Sequence, residues 1–201
     1  MDEKEQTLEK RKQAVFNWLK NPLNLSLTIV LIIAFAIRLY YFLNVGNQPL
    51  WWDEACYGSL ARNMVTGDWA GTALIVGEGA IRPPFFPFVW SLFMRMHFSE
   101  LAIRFVLEFL PSVLTVFFVY LVGKEVFGKR AGVIAAFMFS VLWIHLFYTI
   151  RFLTNIPALA FLFLSIYLFI LSTKNKLNYK LLGTSLVLLS ISTLFRYPNG
   201  L

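Results

Sequence analysis

The feature that most constrains this chain is a series of apolar runs, each about as long as a bilayer is thick. Leu23 to Leu43 is a 21-residue stretch with one charge, Arg38. As a helix it rises about 31 Å at ~1.5 Å per residue, which matches the ~30 Å hydrocarbon core of a membrane. Further apolar segments cover 105–123, 131–150, 156–171 and 179–197. Lipid offers the backbone no hydrogen-bond partner, so runs of this kind cross as helices. The expected fold class is therefore all-α: a polytopic membrane protein with about five transmembrane helices, plus interfacial helices in the first external loop. Composition agrees, since 58% of residues are apolar and 14% charged, against roughly a quarter charged in a soluble domain. The lone Cys56 excludes an intrachain disulfide and a Cys-based metal site.

The net charge of +7 is read as a topology signal. Lys and Arg collect on cytoplasmic loops of membrane proteins, so no nucleic-acid partner is expected. Residues 1–22 form a polar cytoplasmic N-terminal segment, too long and too acidic for the start of a signal peptide. The segment 84–98 has 15 residues, contains Arg95 and His97, and reaches only about 22 Å as a helix. If it crossed, basic residues would divide nine inside to eight outside. If it lies on the surface, they divide eleven to six, with Lys124, Lys129, Arg130, Lys174, Lys176 and Lys180 inside. The second arrangement obeys the positive-inside rule. It places the N-terminus in the cytoplasm and an external loop at about 44–103. The rest of the chain, 23–201, is read as one transmembrane module.

This topology gathers Asp53, Glu54, Arg82, Arg104, Arg151 and Arg196 on the external face. Trp51-Trp52-Asp53-Glu54 puts two indoles before two carboxylates at the exit of the first span. Cys56, Leu60 and Met64 then recur every four residues, the pattern of an amphipathic helix lying in the interface. Asp53 suits either a helix cap or a general base on an acceptor hydroxyl. Arg82-Pro83-Pro84 holds an arginine before a stiff entry, as an interfacial anchor or as a cation for a lipid phosphate. Arg104 and Glu108, four apart, suit an ion pair on one helix face. Asn155 reads as a cap before Pro157. Gly77-Glu78-Gly79 lacks the strand and final glycine of a phosphate loop. His97 and His145 have no partners at ligand spacing and read as interfacial or packed histidines.

Taken in order, these residues resemble the N-terminal part of a GT-C glycosyltransferase. The similar branch holds protein O-mannosyltransferases, aminoarabinose lipid A transferases and dolichyl-phosphate-mannose mannosyltransferase-like proteins. The resemblance rests on Trp52-Asp53-Glu54, Arg82-Pro83-Pro84-Phe85, Glu100 with Arg104, Leu121 to Gly128, and the turn Thr149-Ile150-Arg151 with Asn155. It runs from about Ile37 to the last residue. Asn155 stands where the family carries an acid, and the family's chains are much longer, so the chain is expected to be a fragment or a truncated product.

The resemblance implies a membrane glycosyltransferase that moves a mannose-like hexose, or a related sugar, from a polyprenyl- or dolichyl-phosphate donor. The acceptor is a hydroxyl of a protein, lipid or glycan on the external face of the cell membrane, and the anomeric carbon inverts. It implies Asp53 as base, Glu54 as its orienting partner, and Arg82, Arg104 and Arg151 as binders of the donor phosphate, with Asn155 at a possible second site. A lipid phosphate is already a good leaving group, so no cofactor or metal is expected. A non-catalytic membrane subunit, or a transporter or flippase for lipid-linked sugars, is the alternative; the latter usually shows an internal repeat, and none is visible in the sequence.

Overall fold

The computed structural model describes residues 3–68, 83–174 and 176–197. Among them the chain is helical, with α1 at Glu3–Leu19, α2 at Pro22–Val45 and α3 at Asp53–Thr66. Next come α4 at Phe85–Arg95, α5 at Glu100–Phe127 and α6 at Lys129–Ser140. Last are α7 at Trp143–Tyr148, α8 at Asn155–Thr173 and α9 at Tyr179–Phe195. Arg82 and the 77–79 segment lie outside the described residues.

Among the described residues three helices are long and apolar enough to cross a bilayer: α2, α5 and α8, of 24, 28 and 19 residues. The 17-residue α9 is shorter. Asn21 separates α1 from α2, its side chain accepting from the Leu23 amide at 3.0 Å while Pro22 opens the new helix. Pro at this position loses no hydrogen bond, because the first helical amides have no intrahelical partner. One face of α2 is buried at Leu27, Val30 and Ala34, which pack with Val116, Tyr120, Val133 and Ala136 of α5 and α6. The crossing of α5 and α6 is close because two glycines meet there. A Cβ on Gly123 would stand 2.9 Å from the Gly132 Cα, and one on Gly132 would stand 2.8 Å from the Lys124 amide nitrogen. Helices α8 and α9 are stitched by hydroxyls: Ser165 Oγ donates to the Ser185 carbonyl at 2.8 Å, and Ser185 Oγ donates back at 2.9 Å. Small and hydroxylated residues are what lets helices associate in lipid, where apolar burial gives no net drive.

The span expected at 131–150 is broken into α6 and α7. Arg38, the one charge of the first apolar run, lies buried completely beside that break. Its Nη1 donates to the Ser140 carbonyl at 3.1 Å, and its Nη2 lies 2.9 Å from His145 Nδ1. A buried guanidinium needs acceptors. The break frees one carbonyl and turns one imidazole toward it.

The stripe expected at Cys56, Leu60 and Met64 is also shifted. Tyr57, Leu60, Ala61 and Met64 are buried, and Cys56 is only half-buried. The buried face meets Phe86 and Trp90 of α4, so protein rather than lipid covers it. At 11 residues α4 is shorter than a bilayer crossing requires.

Candidate active site

The polar site is built around the turn that joins α7 to α8. Its backbone is held from two helices by buried carboxylates. Glu54 Oε1 accepts from the Phe152 amide at 2.8 Å, and Glu108 Oε1 accepts from the Leu153 amide at 3.2 Å. Arg104 donates from Nη1 to the Ile150 carbonyl. Three side chains distant in sequence thus bind three groups of one turn. Each of them is at most 2% exposed.

Charge is matched within the cluster. Arg151 Nη1 donates to Glu54 Oε2 at 3.2 Å, and Arg104 Nη1 lies 3.8 Å from Glu54 Oε1. Arg104 also reaches Glu100 at 3.3 Å. The ion pair expected between Arg104 and Glu108 gives way to these contacts. Residues Phe105–Phe109 form a π-helical turn, closed by the Leu110 amide on the Phe105 carbonyl. A bond five residues back widens the turn, so positions four apart no longer share a face. Pro111 accounts for the site of the bulge, because a proline inside an α-helix clashes with the carbonyl four residues earlier. The widened turn aims Glu108 at the Leu153 amide.

Aromatic rings position the cations. The Arg104 guanidinium lies 4.5 Å from the centre of the Phe152 ring, and Phe152 stacks on Trp90 at 4.0 Å. Arg151 lies 4.6 Å from Trp51 and 5.0 Å from Phe147. Attraction to the ring faces adds to the ion pair with Glu54. Arg104 is wholly enclosed, whereas Arg151 borders a cleft.

That cleft has a volume of about 380 Å³ and is lined by Trp51, Trp52, Asp53, Glu54, Phe147, Tyr148, Arg151 and Leu153. Asp53 is exposed and is the first residue of α3. Asp53 is not the cap residue: Trp52 holds that position, and its own side chain makes no cap bond. Trp52 has φ of +51°, a left-handed conformation that costs a non-glycine residue roughly 1–3 kcal/mol and that clusters at functional sites. Its indole is 80% exposed at the cleft mouth.

Asn155 likewise does not cap α8; Thr154 precedes the helix, and no side chain bonds its start. Asn155 instead lines a second cleft of about 370 Å³, together with His145, Tyr148 and Arg196. Tyr148 lines both clefts. Reading residues singly missed the contact of Arg38 with His145 and that of Glu108 with the Leu153 amide. Their signal was present, since an ionisable residue within an apolar run is costly and has a purpose; their partners were not readable. Among the described residues no three His, Cys, Asp or Glu side chains gather as a metal site.

Membrane-length helices, with acids and arginines drawn together where the helices end, define a polytopic all-α membrane protein with a polar site at one end of its bundle. The chain belongs to the dolichyl-phosphate-mannose-protein mannosyltransferase family, which matches residues 81–201 and is a GT-C type family of membrane glycosyltransferases. The matched stretch includes Arg82, Arg104, Arg151 and Asn155; Asp53 and Glu54 precede it. No curated protein and no solved structure matches the chain.

Proposed function

We propose that the cleft of Asp53 and Arg151 is the transfer site of an inverting glycosyltransferase. A mannose-like sugar moves there from a polyprenyl or dolichyl phosphate to an acceptor hydroxyl on the external face. The observation that carries this reading is the sharing of one cleft wall by an exposed carboxylate and an arginine braced by Glu54, Trp51 and Phe147.

Asp53 takes the proton of the acceptor hydroxyl as its oxygen attacks the anomeric carbon. The bond from that carbon to the phosphate oxygen breaks, and its electron pair leaves on the lipid phosphate. Arg151 faces the growing negative charge, and a fixed cation in a partly dry site is worth most at that moment. Arg82 joins it on the resemblance described above. Glu54 and Arg104 act through the turn, since their polar atoms hold the backbone on either side of Arg151. The indoles of Trp51 and Trp52 offer apolar faces to the sugar ring.

Asp53→Asn tests the base. Asn keeps the shape but accepts no proton, and loss of a general base lowers the rate by about 10²–10⁴-fold. The expected result is normal insertion and accumulation with sugar transfer at least about a hundredfold slower. Transfer at the parent rate would falsify the assignment. Glu54→Gln is the neighbouring control, expected to lower thermal stability as well as activity.

A further inference from the structure

We propose that α1 is an interfacial arm that lies along the bilayer surface and binds anionic phospholipid headgroups, its apolar face sunk among the lipids and its lysines level with the phosphates. Neither cleft contributes a residue to this arm, and the transferase reading is not needed for it.

The rest of the chain leaves this helix uncovered. Every described side chain of α1 is exposed except Leu19, which is half-buried. Val15 and Phe16 are each 58% exposed, and Trp18 is 47% exposed. Lys12, Val15, Phe16 and Leu19 line a shallow groove, and their helical spacing puts them on one face. Trp18 stands three residues from Val15, so the two are neighbours on the helix surface.

The charge around this face has one sign. Residues 10–20 hold Lys10, Arg11, Lys12 and Lys20 and no acid, whereas Asp2, Glu3, Glu5 and Glu9 all come earlier. Lys12 Nζ meets Glu9 at 2.8 Å, but both side chains are more than half exposed, and a surface pair of this kind holds weakly. Lys20 Nζ lies 4.8 Å from the centre of the Phe16 ring, so an ammonium borders the apolar face directly. Rings on one side and lysines at the rim suit a helix in a membrane surface, where apolar burial and attraction to anionic headgroups add.

Position makes the bilayer the occupant. Helix α2 opens at Pro22 and is long enough to cross. Trp18 stands four residues before it, about 6 Å of helical rise, the level at which indoles anchor in the interface. The join is held: Asn24 Nδ2 donates to the Trp18 carbonyl at 2.8 Å, and the extended Asn21 caps α2 through its side chain. A helix tied this closely to a span cannot leave the headgroup region. On the topology expected from the basic residues, this is the cytoplasmic leaflet, whose surface is anionic.

The test reads docking in the whole chain, one copy per nanodisc, in a Cys56→Ser background. The discs are phosphatidylcholine alone or phosphatidylcholine mixed with phosphatidylglycerol. A fluorophore is attached at Val15→Cys, on the apolar face, or at Gln13→Cys, roughly opposite on the helix. Acrylamide quenches it from the water and brominated lipid from the bilayer. In the anionic discs we expect brominated lipid to quench the Val15 label and acrylamide the Gln13 label. Lysine near an anionic surface is worth about fivefold in such an equilibrium. Lys10→Gln, Lys12→Gln and Lys20→Gln together are therefore expected to lower the docked-to-free ratio on the order of a hundredfold and hand the Val15 label to acrylamide. The thermal midpoint is expected to stay put, because none of the three lysines is buried. Equal acrylamide access at both positions in anionic discs overturns the docking. Protection of the Val15 label that is the same in phosphatidylcholine alone, or that survives the triple substitution, overturns the anionic headgroup as ligand. Protection that needs two copies per disc gives the face to a second chain and overturns lipid as the occupant.

Discussion

Arg104 and Arg151 carry the same charge, and their surroundings give them different work. Arg104 is enclosed and holds the Ile150 carbonyl, with Glu54 and Glu100 beside it. Breaking a buried pair leaves a lone buried charge, which costs about 3–5 kcal/mol. Arg104→Ala is therefore expected to lower the thermal midpoint strongly in detergent, and with it activity. Arg151 is stacked between two rings at the cleft, where Lys cannot reproduce a planar guanidinium. Arg151→Lys is expected to keep a near-parent midpoint while transfer falls. A thermal shift paired with a transfer assay on both variants separates the roles, and equal loss of stability in the two would remove the distinction.

At the scale of elements, the close contacts between helices are set by residues that have almost no side chain. Gly132 sits where even a Cβ would press on the Lys124 amide and the Tyr120 carbonyl, both at 2.8 Å. Backbone cannot retreat as a flexible side chain can, so Gly132→Leu forces α5 and α6 apart. Overpacking of this kind costs typically about 1–3 kcal/mol or more, and a lowered midpoint and reduced accumulation are expected. At Gly183 a Cβ would meet nothing within 4 Å, and Gly183→Leu is expected to leave both unchanged. The π-helical turn in α5 belongs to this scale too. A proline, visible in the sequence, becomes a rotation of Glu108 toward the Leu153 amide.

At the scale of the whole molecule, the two ends of the bundle differ in charge chemistry. The acids and arginines of the cleft meet at one end. At the other, Glu125 binds Lys124 at 3.0 Å and also pairs with Lys174. By the positive-inside rule, the lysine end is proposed to face the cytoplasm and the cleft the exterior. Single cysteines in a Cys56→Ser background check this in intact cells. Asn47→Cys is expected to react with an impermeant reagent and Lys176→Cys to react only after permeabilisation; the reverse pattern would invert the topology.

Much of this was determined by the sequence itself. Membrane-length apolar runs dictate helices because lipid cannot satisfy an open backbone, and the short 84–98 segment lacks the length to cross. The asymmetry of basic residues is the basis for the proposed order of the loops, without reference to packing. The sequence also marked Asp53, Glu54, Arg104 and Arg151 as charges that needed a reason. What it did not carry was partnership. Glu54 and Phe152 are 98 positions apart, and Arg38 and His145 are 107 apart, so no local period encodes their contact. Periodicity showed an apolar face on the helix after Trp52 but not that Trp90 and Phe86 would cover it. Tertiary structure alone decided which arginine holds a carbonyl and which meets the cleft, and where the third span breaks. A buried charge takes whatever acceptor the fold brings within about 3 Å, and that acceptor is a property of the assembled helices.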